Sequence, residues 1–81
     1  MRVIVQLNDR WRITDDGVQW ILQHRQSRST DRGTGWKGRS YCTQRGTLCR
    51  CIRDHRIDVE PQALHRLDAL PPRYLTKQSG S

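Results

Sequence analysis

The spacing of apolar residues changes once along this chain, and that change limits the folds open to it. Before residue 43 apolar side chains recur at every second position, as in Val3, Val5 and Leu7 and again in Trp11 and Ile13. A period of two is typical of strands that bury one face. After residue 43 the apolar side chains follow the period of a helix. The order strands, then helices, predicts an α+β fold.

Polar turn signals separate the first predicted strands. Asn8-Asp9 and the segment 15–17 contain residues that tolerate the backbone angles of tight turns. In the strand that follows, Val18, Trp20 and Leu22 share a face. We therefore expect an antiparallel meander of three strands, which a fourth can extend.

The fourth predicted strand covers residues 36–42 and places Lys37, Arg39 and Tyr41 on one face. Gly38 weakens this strand or marks a bulge in it. The preceding segment, residues 25–35, contains no apolar side chain and predicts an exposed, mobile loop.

Two short helices complete the prediction. Thr43 is the expected N-cap of the first, and Gln44, Leu48, Cys51, Ile52 and His55 fall on one helical stripe. Pro61 belongs in the first turn of the second, whose buried stripe comprises Ala63, Leu64, Leu67 and Leu70. We expect an antiparallel β-meander of three to four strands with both helices packed on one face. Residues 1–75 then form a single α+β domain, and the polar residues 76–81 a disordered tail.

The charge of the chain is concentrated in its middle third. The net charge of the whole chain is +7, and residues 25–56 hold nine basic residues against two acids, while the segments on either side are neutral. Such a block attracts polyanions, either phosphate backbones or an acidic groove on a protein. The alternative is a solvated surface with Trp36 in the core. We favour binding, and the predicted partner-binding or nucleic-acid-binding residues are Arg25, Arg28, Arg32, Trp36, Lys37, Arg39, Arg50 and Arg53.

Catalysis and metal binding find little support in the sequence. The three histidines lie on separate predicted elements, and Asp15-Asp16 precedes Gly17, as a turn requires. The three cysteines form no C-x-x-C pair, and we expect free thiols. We predict no enzymatic activity, no metal site and no cofactor.

No apolar run of the sequence approaches the length needed to span a bilayer, and the N-terminus lacks the long apolar region of a signal peptide. We therefore expect a cytoplasmic protein in a bacterial host cell, without a membrane partner. Unpaired strand edges and a small core allow either a monomer or a weak homodimer.

The segments Ile4–Thr14 and Gln19–Gln23 resemble the N-terminal hairpin and the following strand of small accessory proteins from temperate phages and prophages. The resemblance covers residues 3–24 well and 40–70 loosely, and it carries no catalytic residue. It implies a phage accessory function, such as inhibition of host defence by an anti-CRISPR protein. Many anti-CRISPR proteins are acidic mimics of DNA, and a chain of charge +7 departs from that pattern.

Two functions follow from these features. The first is a non-enzymatic phage protein that inhibits a host defence complex by docking on a protein or nucleoprotein through its arginine-rich surface. The alternative is a small phage regulator that binds DNA or RNA directly and without sequence preference. Both use the same basic residues, so the salt dependence of nucleic-acid binding separates them.

Overall fold

The computed structural model describes residues 2–26 and 35–75. Its elements, in chain order, are β1 (Arg2–Gln6), β2 (Trp11–Asp15), β3 (Trp20–Arg25), β4 (Trp36–Cys42), α1 (Arg45–Asp54) and α2 (Pro61–Asp68). The predicted α+β fold is confirmed. The predicted loop overlaps β3 at Arg25, and its residues 27–34, like the predicted tail 76–81, lie outside the described residues.

The four strands form one antiparallel sheet in the order β1-β2-β3-β4. The turns between the first three strands are built by side chains that accept hydrogen bonds from the backbone. Asn8 Oδ1 accepts from the backbone N–H groups of Arg10 and Trp11, at 2.7 and 3.0 Å. Asp16 Oδ1 accepts from the N–H of Val18 at 3.0 Å, beside Gly17 with its positive φ of 92°. These local bonds explain why the meander could be predicted.

One predicted feature of β4 is wrong. The register between β3 and β4 shifts at Arg39, which stands as an extra residue in β4. Lys37 pairs with His24, whereas Tyr41 pairs with Ile21. Since these two partners are three positions apart in β3, Lys37 and Tyr41 lie on opposite faces of the sheet. The bulge therefore breaks the common face predicted for Lys37, Arg39 and Tyr41.

The core lies between the sheet and the helices. Its buried side chains are Val5, Leu7, Ile13, Trp20, Leu22 and Cys42 from the sheet and its flanks, with Leu48, Ile52, Ala63 and Leu67 from the helices. α1 packs against β4, and α2 against β1, so the helices contact the two edge strands. The helices thereby fill one face of the sheet.

The helix boundaries correct two details. Gln44, not Thr43, is the N-cap of α1, and its backbone is extended. The C-terminal segment contacts both residues: the N–H of Tyr74 donates to the Thr43 carbonyl, and Arg73 bridges to Gln44. Leu64 is 48% exposed, although it was predicted to be buried. The eight-residue α2 buries only the i, i+4 pair Ala63 and Leu67, and the next position turns toward solvent.

Candidate polyanion-binding surface

The structure describes six of the eight predicted binding residues. Arg25 ends β3, while Trp36, Lys37 and Arg39 belong to β4. Arg50 and Arg53 lie on the exposed side of α1. The other two predicted residues, Arg28 and Arg32, lie outside the described residues.

Trp36 lies on the sheet face that points away from the helices. It pairs with Arg25 across the β3–β4 ladder, and the guanidinium of Arg12 sits over its ring, 4.1 Å from the centroid. Arg12 also donates from Nε to Oε1 of Gln23 at 2.7 Å, and partial burial lowers the pKa of its guanidinium. Trp36 is half-buried. It is therefore neither a core residue nor a fully exposed anchor.

The predicted residues therefore occupy two sides of the molecule. Trp36 and Arg25 lie on the face opposite the helices, whereas Arg50 and Arg53 lie on the outer side of α1. The edge strand β4 links the two groups, since Trp36 belongs to it and α1 packs against it. We call Arg25, Lys37, Arg39, Arg50 and Arg53 the basic ridge.

No acid neutralises the basic ridge within the part of the chain that the structure describes. None of its five side chains makes a hydrogen bond or ion pair with residues 2–26 or 35–75; the ion pair found there joins Arg2 to Asp15 at 3.6 Å, at the other edge of the sheet. Elsewhere arginines do have structural partners: Nη1 of Arg45 donates to the carbonyls of Asp68 and Leu70 at 3.0 and 2.7 Å. Among the described residues, the positive charges of the ridge are therefore unpaired.

A cluster of aromatic and basic side chains adjoins the ridge and was not predicted. The Trp11 ring contacts two imidazoles, with centroids 4.4 Å away at His24 and 5.1 Å away at His55. Arg10 lies in the β1–β2 turn, and Arg39 is the bulge residue of β4. We call these five residues the basic corner.

Three members of the basic corner act electrostatically on His24. The pKa of His24 is lowered, first because burial disfavours the charged imidazolium, and then because Arg39, Arg10 and His55 repel it. The guanidinium groups of Arg10, from the β1–β2 turn, and Arg39, from β4, therefore lie close enough to the His24 ring to act on it. Such a site favours an anionic ligand.

Part of the basic corner can be derived from the sequence. The turn after β2 sets the register in which Trp11 pairs with His24, so their contact follows from hairpin geometry. His55 and Arg39 reach the same site only through the packing of α1 and the β4 bulge. No sequence pattern signals that convergence.

The described regions offer no cluster of side chains with metal-binding geometry. Across residues 2–26 and 35–75, no three His, Cys, Asp or Glu side chains converge on a point where a metal could bind. An open hollow beside Trp11 is lined by Arg10 and Arg56 but also by Asp58 and Glu60, so its charges are mixed. Within the same residues, neither helix is long and apolar enough to cross a membrane.

No protein-family model, no curated protein and no solved structure matches this chain. Its own geometry defines its class: a small α+β protein with a basic surface that its described acids leave unpaired. The function proposed for the chain rests on that surface.

Proposed function

We propose that the chain is a non-enzymatic binding protein that docks through the basic ridge onto an acidic protein or nucleoprotein. In the phage setting that the N-terminal resemblance implies, the partner is a host defence complex and the outcome is its inhibition. The observation that carries the proposal is the absence of ion pairs from the five ridge side chains to the described residues. Unpaired arginines can form bidentate bonds with carboxylates or phosphates of a partner.

The position of the ridge favours a concave partner. Lys37 and Arg39 lie on the edge strand β4, with Arg25 on the neighbouring strand and Arg53 on the helix that packs against β4. A flat partner surface could contact only one of the two sides of the molecule on which the ridge residues lie. An acidic groove could enclose the edge of the sheet and contact both sides, and complementary charge would speed the encounter.

Capture from a bacterial lysate tests the ridge. Tagged wild type, Arg39→Glu and Arg53→Glu are compared with the matched control Arg66→Glu, which makes the same charge change on the exposed side of α2. We expect the two ridge variants to recover at least ~10-fold less partner than wild type, which corresponds to a loss of about 1.4 kcal/mol, while the control recovers a normal amount. Equal losses in all three would mean that only total charge matters, and equal recovery by all four would exclude the ridge.

The inhibitory role needs its own test. Cells with an active defence system that targets an infecting phage should show higher plating efficiency when they express the wild-type chain. Arg39→Glu should reduce that protection more than Arg66→Glu. If plating is unchanged at confirmed expression of the folded wild type, inhibition of that defence system is excluded.

A second candidate, direct binding of DNA or RNA, is favoured by the basic corner. There the Trp11 ring and two imidazoles accompany Arg10 and Arg39, and flat rings beside guanidinium groups are typical of single-strand binding sites. Binding to an oligonucleotide should weaken with salt, by roughly 0.7–0.9 in log–log slope for each phosphate contact. A lack of binding at low salt, about 50 mM, would remove this candidate and leave docking on an acidic protein.

A further inference from the structure

The register of the sheet shows which backbone groups of β3 point away from β4. The N–H of Arg25 donates to the carbonyl of Arg10 at 2.7 Å, so the backbone groups of Arg25 point toward β2. Successive residues of a strand turn their N–H and C=O groups to alternate sides. The pairing of β2 with β3 is regular from Trp11 to Asp15, so the groups of Gln23 and Ile21 also point toward β2.

The β4 residues opposite Gln23 and Ile21 therefore turn their own backbone groups outward. Gly38 pairs with Gln23, and Tyr41 pairs with Ile21. When one member of an antiparallel pair points its N–H and C=O groups away, its partner does the same. Since β4 is the last strand of the sheet, the groups of Gly38 and Tyr41 lie along an open edge, where no described residue bonds to them.

The C-terminal segment pairs with the chain directly after β4 but does not reach this open edge. The N–H of Tyr74 donates to the carbonyl of Thr43 at 2.6 Å, and Arg73 forms an antiparallel bridge with Gln44. Within the described residues, these backbone bonds stop short of 36–41. Tyr41 is also 60% exposed, so its side chain leaves the edge accessible.

We propose that the open edge of β4 binds an extended, acidic segment of a partner protein, which pairs with it as a fifth strand. The proposal rests on the docking function proposed above, and it adds the chemistry of the partner and its mode of binding. Main-chain hydrogen bonds to an edge strand provide affinity, and the alternating side chains of the added strand provide specificity.

The charges beside the edge select an acidic occupant. Lys37 and Arg39 belong to β4 and are exposed, Arg25 ends the neighbouring strand, and neither β3 nor β4 contains an acid. Aspartate or glutamate at alternate positions of an added strand would face these cations, and opposite charges across strands stabilise the pairing. A second copy of this chain would bring one positive β4 against another, and like charges in that position are destabilising.

Defined peptides test the strand pairing. The probe is a short, labelled peptide of alternating glutamate and valine with blocked termini. Its matched control carries N-methyl groups on adjacent central residues, which removes donors from both edges of the peptide and leaves its charge unchanged. A second control has lysine in place of glutamate. We expect fluorescence anisotropy to show that the acidic probe binds at least ~10-fold more tightly than either control.

Amide hydrogen exchange identifies the edge that the peptide occupies. Exchange of the Gly38 and Tyr41 amides, followed by NMR on the folded protein, should slow by about 10-fold at a free probe concentration of about ten times Kd. The N-methylated control should give no such protection at the same concentration. Lys37 is the internal reference, because its pairing with His24 turns its backbone groups toward β3 and away from the open edge.

Two substitutions at Tyr41 separate the backbone donor from the side chain. Tyr41→Pro and Tyr41→Ala both remove the phenol ring, but only proline removes the outward N–H, a change that edge strands tolerate. We expect Tyr41→Pro to bind the acidic probe about 3- to 10-fold more weakly than Tyr41→Ala, as the loss of one hydrogen bond implies. If Tyr41→Pro does not fold, the amide exchange of the wild type decides.

The possible failures of this proposal differ from a failure of the ridge. No binding of the acidic probe, equal binding of its N-methylated control, or binding without protection of Gly38 and Tyr41 would overturn the strand pairing. Tighter binding of a single-stranded oligonucleotide of equal charge would overturn it too and assign the surface to nucleic acid. The docking function itself is judged separately, by the lysate capture with Arg39→Glu and Arg53→Glu.

Discussion

The phenolic hydroxyl of Tyr74 donates a hydrogen bond to Oδ2 of Asp15 at 2.5 Å. Asp15 is the buried last residue of β2, and its same oxygen lies 3.6 Å from Nη2 of Arg2. The Tyr74 ring also meets Trp20 edge to face, with 5.4 Å between centroids. The bond to Asp15 favours the protonated phenol and is the main reason that the pKa of Tyr74 is raised. Through these contacts of Tyr74, the C-terminal segment packs against the sheet.

Removal of this hydroxyl should destabilise the protein. Tyr74→Phe keeps the ring on Trp20 but leaves the buried Asp15 carboxylate without its donor. Since hydrogen bonds to charged groups contribute about 1.5–3 kcal/mol, we expect a loss of that size in the free energy of unfolding, measured by urea titration. Tyr41→Phe is the matched control, because Tyr41 is 60% exposed and its hydroxyl makes no hydrogen bond to the described residues. A loss of equal size in both variants would contradict a specific role for the Tyr74 hydroxyl.

Two glycines should respond to alanine in opposite directions. Gly46 lies in the first turn of α1, and a Cβ there would meet no atom within 4 Å. Gly46→Ala should therefore stabilise the protein by roughly 0.5–1 kcal/mol through helix propensity.

A Cβ at Gly38 would overlap the Tyr41 hydroxyl and touch Cγ2 of Ile21 at 3.4 Å. Gly38→Ala should cost about 1 kcal/mol, because the Tyr41 ring must leave its place on the sheet.

A double-mutant cycle checks the cause of the Gly38 effect. In a Tyr41→Ala background the added Cβ meets no phenol ring, and the cost of Gly38→Ala should fall to a few tenths of a kcal/mol. Urea unfolding of the four proteins gives the coupling energy. An unchanged cost in that background would show that the strand backbone, not Tyr41, requires glycine.

The end of α1 contains a backbone position suited to glycine. Arg56 has a φ of 55°, and the N–H groups of Arg56 and Ile57 donate to the carbonyls of Arg53 and Ile52 in a Schellman cap. Arg56→Gly relieves the strain of the left-handed conformation, so we expect a gain of about 0.5–1 kcal/mol in the free energy of unfolding. Arg50→Gly, which removes the same side chain from the helix interior, should instead cost about 1 kcal/mol. A destabilised Arg56→Gly would show that the side chain contributes more than its strained backbone costs.

Stability should fall on mild acidification because of His24. Its pKa in the folded protein is lowered by burial and by Arg39, Arg10 and His55, so the unfolded chain binds the proton more readily. The contribution of neutral His24 is complete above the unfolded pKa of about 6.5 and declines as pH falls from there toward the folded pKa. Urea midpoints between about pH 7.5 and pH 5 should show this decline.

Two histidine variants locate the source of the pH effect. His24→Gln should reduce the decline, whereas His65→Gln, a change at an exposed position on α2, should leave it as in wild type. Arg39→Gln should also reduce it, because that variant removes a charge that repels the His24 imidazolium. If the decline persists unchanged in His24→Gln, another group is responsible.

Features that depend on near neighbours in the chain were predictable. The alternation from Val3 to Ile13 and the turn residues Asn8 and Asp16 act within a few positions, and they determine the meander. Proline at the first position of α2 acts in the same way, because its fixed φ is helical but its missing N–H and its ring are tolerated only in the first turn. For the same reason the α+β class could be predicted from the sequence alone.

Features that depend on distant segments were not predictable from these patterns. Residue 43 could cap α1 by its own chemistry, but the N-cap is Gln44, which pairs with Arg73, while the Thr43 carbonyl accepts a hydrogen bond from the N–H of Tyr74. The bulge at Arg39 reverses the faces of the residues before it, because one added residue exchanges the two sides of a strand.

The amino-acid sequence by itself determined the order of strands and helices and the concentration of positive charge between residues 25 and 56. Only the tertiary structure decided that Trp36 and Arg53 lie on different sides of the molecule, and that Trp11, His24 and His55 meet. The physical reason is one of range. Periodicity and turn chemistry act over a few residues, whereas the positions of charges relative to one another depend on register and on helix packing, which no short segment encodes.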